Sequence, residues 1–328
     1  MRTLIFIIFF IFITSQSLFS QLPDKHLTSM VDEHDIKSIT QWNHKFKDGK
    51  PAKDGKKNAY KEFDKNGNVT KEIYFRQGDI NQELSYKYDN NQQKTKYEDY
   101  DASKDEVSFR QIIDYDDEGK KIKEERYNGS EHFEINYKYD NEGNRTEILK
   151  KKREKSGASV TYELEEKRIY NRDGNKVTIE VLTPDDELVK KIINKHDEEG
   201  NLIEFNEYNE NGERIKQISY EYNGDNQKVR EEKHQSGNFI YEKKFQYNNQ
   251  NNVAEIQKEE PKGEVYISKV FDYDNDNNLI KEMRYEPRAD KYSHKKFSYD
   301  EDNLLKEVEV YYAIYDYKVQ YKFDYEYY

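Results

Sequence analysis

An all-β fold built from repeated hairpins is what this chain predicts, and three observations carry the prediction. A short aromatic-acid motif returns about every 26 residues. Apolar residues between its copies alternate with period two. Turn residues punctuate the chain at two positions per copy. The motif reads Phe63-Asp64…Gly67, Tyr88-Asp89…Gln92, Tyr115-Asp116…Gly119, Tyr139-Asp140…Gly143, Tyr170-Asn171…Gly174 and His196-Asp197…Gly200. It continues as Tyr222-Asn223…Asn226, Tyr247-Asn248…Asn251, Tyr273-Asp274…Asn277 and Tyr299-Asp300…Asn303. One further step lands on Tyr325.

Each unit reads as strand, turn, strand, turn. Ile218, Tyr220 and Tyr222 alternate with Ser219 and Glu221, the period of a strand with one packed face. In the last strand Tyr315, Tyr317, Val319, Tyr321, Phe323, Tyr325 and Tyr327 fall on every second residue. At the first turn the Asp or Asn accepts backbone N–H groups and closes an Asx-turn. Three positions on stand only Gly, Asn and Gln92, which suits a left-handed residue in a type I turn with a bulge. A second set of glycines, Gly78, Gly129, Gly157, Gly212, Gly237 and Gly263, marks the opposite turn. Strands joined by such short turns are antiparallel neighbours. About ten units therefore predict a long antiparallel β-meander of about twenty strands. Open sheets rarely exceed about ten strands without curling, so the expectation is a curled or spiral, solenoid-like sheet, with a flat array as the alternative.

The domain reading has three parts: a leader over residues 1–20, an N-terminal cap or linker over 21–58, and the repeats over 59–328. Arg2 precedes an apolar run over residues 4–13 and a small, polar close over 14–20. That is the form of a secretory signal peptide, with cleavage expected after Ser17 or Ser20. No second apolar run of spanning length follows, so no membrane span is expected in the mature protein. Residues 27–42 carry Leu27, Met30, Val31, Ile36 and Ile39 and suit a short helix or capping unit. The step from Tyr139 to Tyr170 is longer than the others and implies an insertion near residues 150–158.

Composition narrows function mostly by exclusion. Charged residues are 37% of the chain, yet 30 Tyr and 16 Phe supply rings for a core. Net charge is −12 with acids and bases interleaved, so a nucleic-acid partner is not expected. The basic run at 150–153 reads as a solvated turn or strand end. There is no Cys, which removes lipobox anchoring, thiol catalysis and Cys-ligated metals.

The string Tyr137-Lys138-Tyr139-Asp140-Asn141-Glu142-Gly143-Asn144, with its partner Gly in the other turn, resembles the RHS/YD-repeat family. Residues 86–93, 271–278 and 297–304 match with changes, and the resemblance covers about 60–328. The unit here is longer than is usual in that family. The resemblance implies antiparallel β-spirals, in some members a closed shell, in cell-surface or secreted proteins of which some bind carbohydrate. The Asp-Pro-x-Gly autoproteolytic motif of the toxin members is missing, so toxin delivery is not carried over. The Asn-, Lys- and Ile-rich composition resembles that of AT-rich Gram-negative genomes, and a periplasmic, cell-surface or extracellular location is expected.

The main binding candidates are the aromatic pairs before the first turns: Tyr86/Tyr88, Tyr137/Tyr139, Tyr220/Tyr222, Phe245/Tyr247, Phe271/Tyr273 and Phe297/Tyr299. Stacked across units they form an aromatic ladder able to face sugar rings; the commoner use of such periodicity is a buried sheet core. Asp272, Asp274, Asp276 and Asn278 have the spacing that begins a calcium loop, but ordinary Asx-turns account for them. None of the seven histidines has ligand spacing, and no nucleophile or phosphate motif occurs. The expectation is therefore an exported, non-enzymatic scaffold without cofactor or metal. Its expected partner is a carbohydrate or a surface protein, and the sequence leaves its oligomeric state open. The alternative is a purely structural shell, and an unrecognised hydrolase stands third.

Overall fold

The computed structural model of the chain describes residues 33–156 and 159–328, together with Val31. The predicted leader and Gly157 lie outside these residues. Apart from helical Val31 and Glu33 ahead of the first strand, what the structure describes is a β fold: 23 strands in one antiparallel sheet. β1 (Ile36–Lys47) is followed by a two-residue strand, β2 (Lys50–Pro51), which pairs only with the end of β1. From β3 (Lys56–Phe63) to β23 (Tyr317–Tyr327) each strand pairs with its chain neighbours, as the turn spacing predicts.

The sheet does not spiral. β1 pairs with β3 on one side and with β23 on the other, from Ile36↔Tyr327 to Lys45↔Val319. Leaving out β2, the result is a closed barrel of 22 strands rather than the expected spiral or solenoid. The physical reason is the free edge. An open meander would expose the unpaired N–H and C=O groups of β3 and β23, and one extra strand satisfies both. That strand comes from the segment expected to be a helix or cap. Within it Val31 and Glu33 are helical, as expected, but from Ile36 on it is barrel wall. Ser38 Oγ donates to Glu326 (2.8 Å), and the terminal Tyr328 donates its N–H to Asp35 O (3.1 Å) and its hydroxyl to Phe63 O (2.5 Å).

A ring of 22 strands at about 4.8 Å each has a perimeter of about 105 Å, or about 34 Å across if circular. Side chains do not fill it. From Arg214 to Tyr273 no residue is fully buried, and the same holds from Val69 to Asp101. A packed interior would bury every second residue of those strands; here both faces meet solvent, as in other large barrels. The packed core is instead local to the seam. Val31, Ile36, Ile39, Ala59, Phe63 and Phe297 gather there with Leu304, Leu305, Val308, Val310, Val319 and Phe323. Gln41, fully buried in the same strand as Ile39, has no partner for either polar atom of its amide.

The insertion expected near 150–158 takes the form of the longest hairpin, β10 (Arg145–Ser156) with β11 (Ser159–Asp173), paired as far as Ser156↔Ser159. The basic run 150–153 therefore lies within a strand, not at a turn or strand end. Cross-strand carboxylates hold it there: Lys150 meets Glu165 at 2.5 Å and Lys152 meets Glu131 at 3.2 Å.

Candidate functional site: the corner rim and the aromatic face

Every third residue after a corner Asp or Asn takes positive φ, from 53° at Gly174 to 86° at Gly200, with Gln92 at 63°. The Gly/Asn preference is thus a backbone requirement. At nine corners the Asp or Asn Oδ1 accepts the N–H four residues on, as Asp64 does from Asn68 (2.9 Å) and Asp300 from Leu304 (2.8 Å). Asn171 is the exception. β11 runs on to Asp173, and the turn falls at Gly174 and Asn175. Consecutive corners are stitched together by amides: Asn68 to Gln92, Asn201 to Asn226, Asn252 to Asn277, and Asn278 Nδ2 to Asn303 Oδ1 at 3.3 Å. Asp274 and Asn278 are spent on this turn, Asp274 accepting from both Asp276 N and Asn278 N. Among the described residues no group of three or more acidic or His side chains converges on a metal position.

The aromatic pairs all lie on one face, which we call the aromatic face. The residue between the two rings (Lys87, Lys138, Glu221, Gln246, Asp272, Ser298) points the other way and is exposed. The corner tyrosines have a shared task. Tyr88, Tyr115, Tyr139, Tyr222, Tyr247, Tyr273, Tyr299 and Tyr325 each donate their hydroxyl to a backbone carbonyl of the preceding unit. The distances run from 2.7 Å (Tyr325 to Leu305 O) to 3.1 Å (Tyr273 to Val253 O). Burial, with Asp64 nearby, pushes the Tyr88 phenol up to about 12, and burial with Asp274 does the same for Tyr299. Replacing Tyr88, Tyr247, Tyr273 and Tyr299 by Phe keeps the rings and deletes four such bonds. We expect each to cost about 1 kcal/mol, near-additive at this spacing, read as a lower urea midpoint. A quadruple variant as stable as the parent would show that the hydroxyls do not tie the units.

The first ring of each pair meets charge. Tyr86 donates to Glu72 (2.9 Å) and Tyr137 to Glu124 (2.8 Å). Lys228 Nζ lies 5.4 Å from the Tyr220 ring centre and 4.7 Å from that of Phe245, and Lys269 lies 5.8 Å from that of Phe271. Phe297 sits in the seam core. Glu231 accepts from Tyr241 (2.8 Å) and Lys228 (2.8 Å). Burial raises the Glu231 pKa, but these partners and Lys243 outweigh it and hold the carboxyl at about 2. The ladder is therefore a line of rings interleaved with ion pairs and anchored to the backbone.

Two features were passed over at the sequence level. An aromatic or His residue follows the corner ring by 12 positions in seven units: Phe75, Tyr100, Tyr127, Tyr208, His234, Tyr285 and Tyr311. Strand alternation puts these on the opposite face, near the other rim. Tyr285 packs against Tyr292 (5.3 Å between centroids) and His294 against Tyr311 (5.2 Å). Tyr100, Tyr285 and Tyr311 each donate to an Asp five residues on (Asp105, Asp290, Asp316) that itself has positive φ. The constant 12-residue offset is the signal that could have found them. The second is Trp42, which stands on that same face at the seam; being single, it leaves no period to detect.

No family model matches the chain, and no curated protein matches it. Solved structures give weak likenesses. A porin-like protein from Bacteroides uniformis is 9% identical, with 66% of this chain and 96% of that one covered and a TM-score of 0.32. The TcdB2-TccC3 structure without its hypervariable C-terminal region is 10% identical over 87% of this chain and 19% of that one, with a TM-score of 0.31. A protein of unknown function from Bacteroides fragilis is 16% identical over 50% of this chain and 88% of that one, at a TM-score of 0.19. At these scores none of them carries an argument about this chain, whose barrel is established by its own strand pairing.

Proposed function

We propose that the chain is an exported, non-enzymatic barrel that serves as a structural shell or scaffold in water, presenting its surface to a carbohydrate or surface-protein partner. The observation that carries this reading is closure. β1, which lies outside the repeat, is used to remove both free edges, and eight tyrosines are used to fasten unit to unit. In this reading the aromatic ladder is construction, and ligand contact falls to other surfaces.

A lipid-embedded wall does not suit the residues. A membrane barrel needs a continuous apolar band about 25 Å tall on its outer face. Here Glu72, Glu124, Glu231 and Glu282 interrupt the aromatic face in mid-strand, and Lys87, Lys138, Glu221 and Lys244 stand on the other. The test is fractionation of cells making the full chain. The processed protein should be recovered without detergent from the periplasm, cell surface or medium. Recovery only after detergent extraction, or retention in the cytosol, would overturn the proposal.

A further inference from the structure

The chain's single tryptophan belongs to no unit of the repeat. Trp42 lies in the middle of β1, directly opposite Lys322 on β23. Its indole N–H donates to Asp324 Oδ2 at 2.7 Å, which fixes the ring plane and leaves the π face without a hydrogen-bonding task. The connection after β1 then folds back over this spot. Ala52 N donates to Lys45 O (2.8 Å), and His44 Nδ1 bonds Ala52 O (2.9 Å). Gly55 sits so close to the His44 ring that a Cβ there would come within 2.5 Å of Nε2, so any larger residue would have to push that ring aside.

This fold-back sets Lys53 and Asp54 against Trp42, with Lys322 and Asp324 as the facing wall of a cleft of about 350 Å³. That volume is within the range of small-molecule sites. The chemistry selects among ligands. Two ammonium groups and two carboxylates sum to zero, so a polyanion gains no net attraction. A wholly apolar ligand would strip water from four charges without replacing it. A neutral pyranose fits both demands: its C–H face stacks on the indole, and its hydroxyls reach donors and acceptors on both walls. We propose that the Trp42 cleft binds a neutral pyranose unit of a glycan. This deepens the proposed function by naming its carbohydrate contact and rests on that reading, while fractionation tests the exported barrel apart from it.

Because Trp42 is the only indole, its emission reports the cleft alone. The full mature protein is titrated with neutral hexasaccharides of glucose, mannose, galactose and N-acetylglucosamine, and with polygalacturonate as the anionic control. The expected result is a saturable blue shift with at least one neutral sugar and none with polygalacturonate. Lys53→Ala with Asp54→Ala should weaken that binding at least tenfold while leaving the thermal midpoint unchanged. By calorimetry, Trp42→Phe should retain weakened binding and Trp42→Ala should lose it. No response to any neutral sugar at millimolar concentration overturns the proposal. So does a response to polygalacturonate alone, or affinity untouched in Trp42→Ala.

Discussion

Deleting β1 turns the closed ring into a ribbon with two open edges. The loss has two parts. Ile36 and Ile39, almost wholly buried at the seam, leave the core with it; each is worth about 1.5–3 kcal/mol of burial. The backbone pairs from Ile36↔Tyr327 to Lys45↔Val319, and those with β3, are lost as well. A chain without residues 36–47 is therefore expected to fall in urea midpoint by the equivalent of at least about 3–6 kcal/mol. It should also self-associate, because β3 and β23 then offer bare strand edges to other copies. Light scattering coupled to size-exclusion chromatography, with urea unfolding, checks both. A monomer with the parental midpoint would mean that β1 is decoration on a sheet that holds without it.

That result also marks where the sequence stops being readable. The hairpin corners are local. The Asp or Asn, the left-handed Gly or Asn and the paired rings lie within a few residues of each other and recur, so the repeat displays its own rules. Ten corner positions with positive φ confirm that the Gly/Asn alternation encodes backbone geometry. Closure is the reverse case. It joins Ile36 to Tyr327, a pairing made once between segments at opposite ends of the described chain, and a single event leaves no period. Ile36 and Ile39 looked helical because a bulge between Ile36 and Ser38 breaks the strand alternation at that point. The same limit hid the Trp42 cleft, which needs β1, β23 and the connection before β3 together. The fifth corner failed for a smaller reason: Gly174 falls in a tight hairpin that suits its φ of 53° without help from Asn171.

Replacing Glu124 by Ala should be the most damaging single substitution away from the seam. Its side chain is fully buried within the ladder and accepts from four groups: Gln111 Nε2 (2.7 Å), Lys121 Nζ (3.0 Å), Tyr137 Oη (2.8 Å) and the Arg126 guanidinium. Burial alone would raise its pKa. Arg126, Gln111, Lys121 and Tyr137 together outweigh burial and hold it at about 2. Removing the carboxylate takes the acceptor from Gln111 and Tyr137 and unpairs Lys121 and Arg126, whose side chains still reach water at 28% and 43% exposure, so the loss is about 2–3 kcal/mol, that of charge-assisted hydrogen bonds. Glu125→Ala on the neighbouring position, where the ion pairs with Lys123 are half exposed, should cost less than about 1 kcal/mol. The acid limb gives an independent readout. A carboxyl whose folded pKa lies below its unfolded value of about 4.5 contributes stability that is complete above that pH and lost as pH falls toward 2. The contribution is at most about 3 kcal/mol for a shift of this size. Parent and Glu124→Ala should therefore differ most at neutral pH and converge between about pH 4 and pH 2. A constant difference across that range would mean that Glu124 acts by packing alone, and that the cations beside it draw no stability from its charge.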